Sequence, residues 1–126
     1  METKTNKRTV IIGASSNPSR YAYMAAKMLL DYGHDIVPLS IRKGEVAGHE
    51  FQLLADKPAV EGVDTITLYV NPTNQTQWEE YLISLAPKRI IFNPGTENQR
   101  FMDRLREEGI EPVVACTLVM LRTGQY

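Results

Sequence analysis

Gly13-Ala14-Ser15-Ser16-Asn17-Pro18-Ser19-Arg20 follows directly on the apolar run Val10-Ile11-Ile12. A glycine turn closing a strand, small residues after it and a helix opening at Pro-Ser-Arg present backbone N–H groups to a phosphorylated ligand. Gly13, Ala14, Ser15, Ser16 and Pro18 shape such a turn. Arg20 adds a permanent positive charge whose forked donors match phosphate. The pattern points to a nucleotide-type cofactor; it does not by itself argue for catalysis.

A second cluster, Ser40-Ile41-Arg42-Lys43, stands where the second strand of such a fold ends. An NAD-binding unit usually places Asp or Glu there, on the ribose 2′-hydroxyl. Arg42 and Lys43 would instead attract a ribose phosphate. Coenzyme A carries one at the 3′ position and NADP at the 2′ position. Solvation of a surface loop is the plainer reading of the same two side chains.

The other strand ends read Tyr69-Val70-Asn71-Pro72, Asn93-Pro94-Gly95-Thr96 and Cys116-Thr117. Together these ends supply hydroxyls, amides, glycines and cations, with no carboxylate before Glu45 and Glu97. An edge of this kind suits a polyanion, whereas acid–base chemistry usually shows a carboxylate or histidine. No catalytic residue is assigned. Cys116 reads as a small core residue, because a reactive thiol needs exposure and a lowered pKa. Cys116, His34 and His49 are too few and too scattered for a metal motif.

The elements that must position these groups alternate along the chain. Short runs rich in β-branched residues, at Thr9–Ile12, Ile36–Leu39, Thr65–Val70, Arg89–Phe92 and Pro112–Ala115, predict parallel strands covered on both faces. Ala22, Ala25, Ala26, Leu29 and Leu30 form the apolar stripe of a helix over Pro18–Tyr32. Asn17 or Ser19 can cap that helix, and Gly33 ends it. A second helix is predicted over Asn74–Leu85, with Trp78, Tyr81, Leu82 and Leu85 inward and Pro87 barring its continuation. A third follows the capping box Thr96-Glu97-Asn98-Gln99, buries Phe101, Met102 and Leu105, and stops at Gly109. The stretch from Arg42 to Gly62, punctuated by Gly44, Gly48 and Pro58, reads as a loop with at most a short helix or strand. The fold class is α/β: one Rossmann-like, doubly wound domain over residues 1–126, behind a polar tail at residues 1–8. Its sheet is five-stranded and mostly parallel, in a three-layer α/β/α arrangement.

Composition excludes several classes. A formal net charge of -1 provides no basic field for nucleic acid and no polybasic membrane anchor. No apolar run approaches the ~20 residues of a membrane helix. Met1 to Arg8 lacks the apolar core of a secretory signal. A single cysteine rules out an internal disulfide and suits a reducing cytoplasm.

The chain resembles the small stand-alone CoA-binding proteins, which are similar to the CoA-binding domain of the succinyl-CoA synthetase α subunit. The resemblance rests on Gly13-Ala14-Ser15-x-x-Pro18-x-Arg20-Tyr21, on Gly44-Glu45-x-x-Gly48, on Val63-Asp64, on Asn93-Pro94-Gly95 with Glu97-Asn98, and on Cys116. It implies a Rossmann-like CoA-binding fold in which Gly13, Ala14, Ser15, Ser16, Pro18 and Arg20 hold the diphosphate. Ser40, Arg42 and Lys43 would lie near the adenosine 3′-phosphate. Tyr69, Val70, Asn71 and Pro72, with Asn93, Pro94 and Gly95, would line the path of the pantetheine arm. The implied function is binding of coenzyme A or an acyl-CoA by a carrier, sensor or subunit, with a protein partner or a homo-oligomer completing it. Two alternatives stay open: an NADP-binding oxidoreductase-like protein, and an interaction module that keeps the fold without a ligand.

Overall fold

The computed structural model describes residues 6–126. In chain order its elements are β1 (Thr9–Ile12), α1 (Tyr21–Asp31), β2 (Ile36–Ser40), β3 (Glu45–Val46), β4 (His49–Glu50) and β5 (Gln52–Leu53). They continue with β6 (Thr65–Leu68), α2 (Pro72–Gln75), α3 (Glu79–Ser84), β7 (Arg89–Phe92), α4 (Gln99–Glu107), β8 (Glu111–Val114) and α5 (Thr117–Arg122). The main sheet runs β5-β2-β1-β6-β7-β8, and every pairing in it is parallel. Strands β3 and β4 form a separate antiparallel hairpin. The chain winds outward from β1 in one direction, returns, and winds outward from β6 in the other. The reversal between β1 and β6 leaves a crevice at their carboxyl ends.

Continuous apolar runs form these strands because both faces are covered. On one face Val10, Ile12, Leu68, Ile90 and Phe92 meet Leu82 of α3 and Phe101 and Leu105 of α4. The Phe92 and Phe101 rings pack edge to face with centroids 5.8 Å apart. On the other face Ile11 and Ile36 meet Ala22, Ala26 and Leu29 of α1 and Leu121 of α5. Helix α3 is tied to α4 by the buried Glu79 carboxylate, which accepts from both terminal nitrogens of Arg100. At the outer edge, Glu111 donates to Lys88 and Ala115 to Phe92 through backbone N–H groups. Alternation then puts Pro112 outward, so the free edge lacks one donor that a further strand would need.

The sheet has six strands rather than the expected five. The additional one, β5, lies within the stretch read as a loop and pairs with Leu39 and Ser40 of β2. Two residues carry no alternation, so only the neighbouring strand defines it. The predicted helix over Asn74–Leu85 divides into α2, a 3-10 turn at Thr76–Trp78, and α3. The first helix starts three residues later than expected. Asn17 accepts from the N–H and the hydroxyl of Ser19, holding a turn ahead of the helix, and Arg20 stands at the N-cap without a side-chain bond. At α4 the cap is Asn98, which accepts from the Phe101 N–H at 3.2 Å. Thr96 donates to the Asn93 carbonyl instead of capping.

The amino end of the sheet is closed by Tyr126. Its hydroxyl bonds to that of Thr9, its ring lies under the Arg89 guanidinium at 4.5 Å, and His34 tilts against it at 4.9 Å. His34 Nδ1 accepts from the Lys7 N–H at 2.9 Å, which requires that nitrogen to be unprotonated. Burial holds this imidazole below its ordinary pKa; the Lys7 and Arg89 cations act the same way, and Asp64 and Asp35 oppose them. The folded state therefore resists a proton that the unfolded chain accepts near ~6.5. The His34 contribution is complete above that pH and is lost as pH falls below it. Urea midpoints should drop between pH 7.5 and 5.5, and His34→Gln, which offers the Lys7 N–H an uncharged acceptor, should flatten the drop. An equal drop in both proteins would remove His34 as its source.

Candidate ligand site at the carboxyl edge of the sheet

Backbone hydrogen bonds decide which groups of the first turn are free. The Gly13 and Ala14 N–H groups both donate to the Leu39 carbonyl, at 3.0 and 2.9 Å. Gly13 has φ +93°, and a Cβ there would lie 3.1 Å from Val70 Cγ2 and 3.2 Å from the Tyr69 carbonyl oxygen. A side chain there is strained both by backbone conformation and by the close approach of the chain after β6. Beyond it, Ser15 Oγ accepts from the Asn17 N–H and the Asn17 carbonyl accepts from the Arg20 N–H, each at 3.0 Å. The N–H groups of Ser15, Ser16, Tyr21 and Ala22 are left without partners among the described residues. Gly13 and Ala14 thus shape the turn, while Ser15, Ser16 and the start of α1 carry its open donors. No acidic side chain stands in the first turn of α1 to compete with an anion.

Three cations flank these donors. Arg20, Arg42 and Lys43 are exposed and form no ion pair among the described residues. Ser40 is buried, and its hydroxyl accepts from the Arg42 N–H at 3.4 Å, which turns the chain at the end of β2. Pro18 and Ser16 are exposed on the turn itself.

The β6 and β7 ends are built differently, because their amides are already bonded. Asn71 caps α2 by accepting from the Asn74 N–H at 3.0 Å, with Pro72 in the first turn. Asn93 is buried; its Nδ2 donates to Thr67 Oγ1 at 2.7 Å and to the Leu68 carbonyl at 2.9 Å, and its Oδ1 accepts from the Thr117 N–H at 2.9 Å. The Thr67 and Thr117 hydroxyls bond to each other at 2.9 Å. Val70 is half-buried against Gly13, and Pro94 and Gly95 are exposed at the rim. The Gly95 N–H donates to Glu97 Oε1 at 2.7 Å. The structure therefore gathers all the expected site residues along one edge, with the Asn71 and Asn93 side chains positioning backbone rather than pointing free.

Tyr69 lies beside this network with a buried hydroxyl that has no hydrogen-bond partner. Burial pushes its phenol up to about 12; the Thr67 and Thr117 hydroxyls oppose that shift, but they are held by each other and by Asn93. Tyr69 is thus a neutral wall at any physiological pH.

Sequence reading missed Gln75. It is buried, its Nε2 donates to the Val70 carbonyl at 2.8 Å and the Thr96 carbonyl at 2.7 Å, and its Oε1 accepts from Asn98 at 3.0 Å. One carboxamide thereby joins the turns after β6 and β7. A glutamine in a four-residue helix gives no warning of this. Thr67 was missed likewise, since threonine is an ordinary strand residue, and Thr117, named as a strand end, was not foreseen as a partner of Asn93.

An open cleft of about 620 Å³, lined by Arg8, Asp35, His49, Gln52 and Glu61 among others, lies at the opposite end of the sheet. Its Arg8 is held by Asp35 and by the Glu61 carbonyl. Among the described residues no group of three potential metal ligands occurs, and no helix is long and apolar enough to cross a membrane.

A doubly wound parallel sheet with a crevice at its switch point defines a Rossmann-like α/β protein. Residues 7–122 match the model of the CoA binding domain family, and the chain belongs to that family. It is similar to a protein of known crystal structure described only as uncharacterized, with 50% identity, TM-score 0.93 and coverage of 97% of this chain and 99% of that one. It is also similar to a hypothetical protein from Pyrococcus horikoshii OT3, with 26% identity and TM-score 0.81 over 94% of this chain and 83% of that one. A Thermus thermophilus protein, cell-free ID.343, matches at 25% identity and TM-score 0.81, over 96% and 91% of the two chains.

Asn93→Ala should lower unfolding free energy by about 2–4 kcal/mol, since it leaves a backbone N–H, a backbone carbonyl and a threonine hydroxyl short of partners. Urea denaturation checks this; a loss under about 1 kcal/mol would mean that water replaces the carboxamide.

Proposed function

We propose that the protein binds coenzyme A or an acyl-CoA across the carboxyl ends of β2, β1, β6 and β7. The observation that carries the reading is the pairing of open N–H groups at Ser15, Ser16, Tyr21 and Ala22 with three unpaired cations around them. The diphosphate lies over the turn and the start of α1, where orphan donors and the helix dipole favour an anion. Arg20 closes that subsite, and Arg42 and Lys43, after Ser40, meet the ribose 3′-phosphate. The pantetheine arm crosses Gly13 and runs past Tyr69, Val70, Asn71 and Pro72 toward Asn93, Pro94 and Gly95. Bound coenzyme A would supply a thiol that carries acyl groups as thioesters.

The role is binding rather than turnover, as a carrier, sensor or subunit acting in the cytoplasm through a partner or a second copy. Support comes from the chemistry along the arm. The Asn93 carboxamide is committed to the fold, and the Tyr69 phenol keeps its proton to about pH 12. Neither is poised to move a proton near neutrality.

Titration calorimetry with CoA tests the reading, with NADP as the competing ligand because the cations after β2 suit a 2′-phosphate as well. Saturable CoA binding tighter than NADP supports it; tighter NADP binding, or binding of neither, overturns it. Arg20→Ala should weaken CoA by ~1–3 kcal/mol if it makes a charge-assisted phosphate contact. An unchanged dissociation constant at fixed salt would take Arg20 out of the site. Arg42→Ala and Lys43→Ala should weaken CoA while leaving dephospho-CoA nearly unaffected. Equal losses for both ligands would contradict the 3′-phosphate assignment.

A further inference from the structure

Charge is divided unevenly along the carboxyl edge. The turns after β1 and β2, residues 13–20 and 40–44, contain three charged side chains, Arg20, Arg42 and Lys43, all positive. The turns after β6, β7 and β8, residues 69–74, 93–98 and 115–118, contain one, Glu97, and it is negative. Glu97 is not a freely swinging surface carboxylate, because the Gly95 N–H holds its Oε1 at 2.7 Å. The nearest cation along the chain, Arg100, already has its guanidinium on both oxygens of the buried Glu79. Tyr69 beside the arm path is neutral, so nothing on this half of the edge offsets Glu97.

We infer that Glu97 restricts the site to CoA carrying no charge, or a free thiol, at its acyl end, and disfavours acyl groups that end in a carboxylate. The inference rests on the proposed CoA reading and adds the class of thioester. The cationic half fixes the phosphate end of the ligand over β1 and β2. The far end must then arrive near the turn after β7, where a second carboxylate would meet Glu97 at close range. Two like charges about 4–6 Å apart at a solvated rim repel by enough to change affinity about three- to tenfold, less at high salt.

Calorimetric titrations of the full chain with CoA, acetyl-CoA and malonyl-CoA at low ionic strength decide the matter, alongside the same titrations of Glu97→Gln. The glutamine retains an oxygen for the Gly95 N–H while removing the charge. Malonyl-CoA should bind the wild-type protein about three- to tenfold more weakly than acetyl-CoA. That gap should shrink as salt is raised and close in Glu97→Gln. Equal or tighter malonyl-CoA binding by the wild type, with CoA and acetyl-CoA still bound, overturns the inference alone. A gap that persists undiminished in Glu97→Gln also overturns it. Failure of CoA itself to bind overturns the underlying reading of the site. The wild-type comparison and its salt dependence stand even where the variant folds poorly.

Discussion

The Leu39 carbonyl accepts two N–H groups, those of Gly13 and Ala14, and that shared acceptor fixes how the chain leaves β1. The turn is locked to β2 on one side. On the other it is pressed against the chain after β6 so closely that a Cβ on Gly13 would lie 3.1 Å from Val70 and 3.2 Å from the Tyr69 carbonyl. With both neighbours fixed, the next residues have only one way out, over the edge of the sheet. There the Ser15 and Ser16 N–H groups meet no acceptor among the described residues. The open N–H groups of Ser15 and Ser16 follow from this bond arrangement rather than from any special property of serine.

A second constraint acts on the other half of the edge and is made of side chains. Asn93 bonds to Thr67, to the Leu68 carbonyl and to the Thr117 N–H, so one carboxamide sets the spacing of the β6 and β7 ends and the start of α5. Gln75 repeats the device one layer outward, between the Val70 and Thr96 carbonyls. Buried amides with all their partners present are rigid and specific, because each bond lost would leave a desolvated group unpaired. The β6–β7 half of the edge is consequently held by side-chain amides and carries a single charge, the Glu97 carboxylate, while the β1–β2 half keeps open donors and free cations. A polyanion with a long neutral arm matches that division.

Much of this was legible in the sequence, and the reasons are physical. Five strands announced themselves because burial on both faces forces uninterrupted β-branched runs. The glycine turn was legible because a positive φ at a strand end has few other solutions. The family model over residues 7–122 bears out the CoA-binding-domain resemblance read from Gly13, Pro18, Arg20 and Asn93-Pro94-Gly95. What escaped was whatever depends on tertiary partners. Strand β5 exists because Leu39 and Ser40 offer it a ladder, and α5 is a six-residue helix without a side-chain cap. The late start of the first helix comes from local competition, with Asn17 bonding Ser19 rather than the helix. Asn93 and Asn71 were placed at the right edge, but their side chains serve the fold, a distinction invisible without their partners.

The two ends of the sheet solve opposite problems with the same chemistry. At the amino end, Thr9, Thr65 and Arg89 would present unpaired groups to solvent. There Tyr126 covers them, bonding Thr9 and stacking under Arg89, while the Arg89 Nε donates to Thr65. The Arg89 charge is thereby spent on internal contacts, as is that of Arg8 in the neighbouring cleft. At the carboxyl end no such plug exists among the described residues, and the cations left over are the ones beside the open turn. A free guanidinium at a rim costs the fold little, since water solvates it. Its exposure matters only to a partner that brings negative charge. The asymmetry between the two ends supports the carboxyl end for the proposed ligand on physical grounds, independently of any family likeness. It also explains why the cleft at the amino end is the weaker candidate, since its arginine, Arg8, is already held by Asp35 and the Glu61 carbonyl, and its acidic side chains, Asp35 and Glu61, would repel a polyanion.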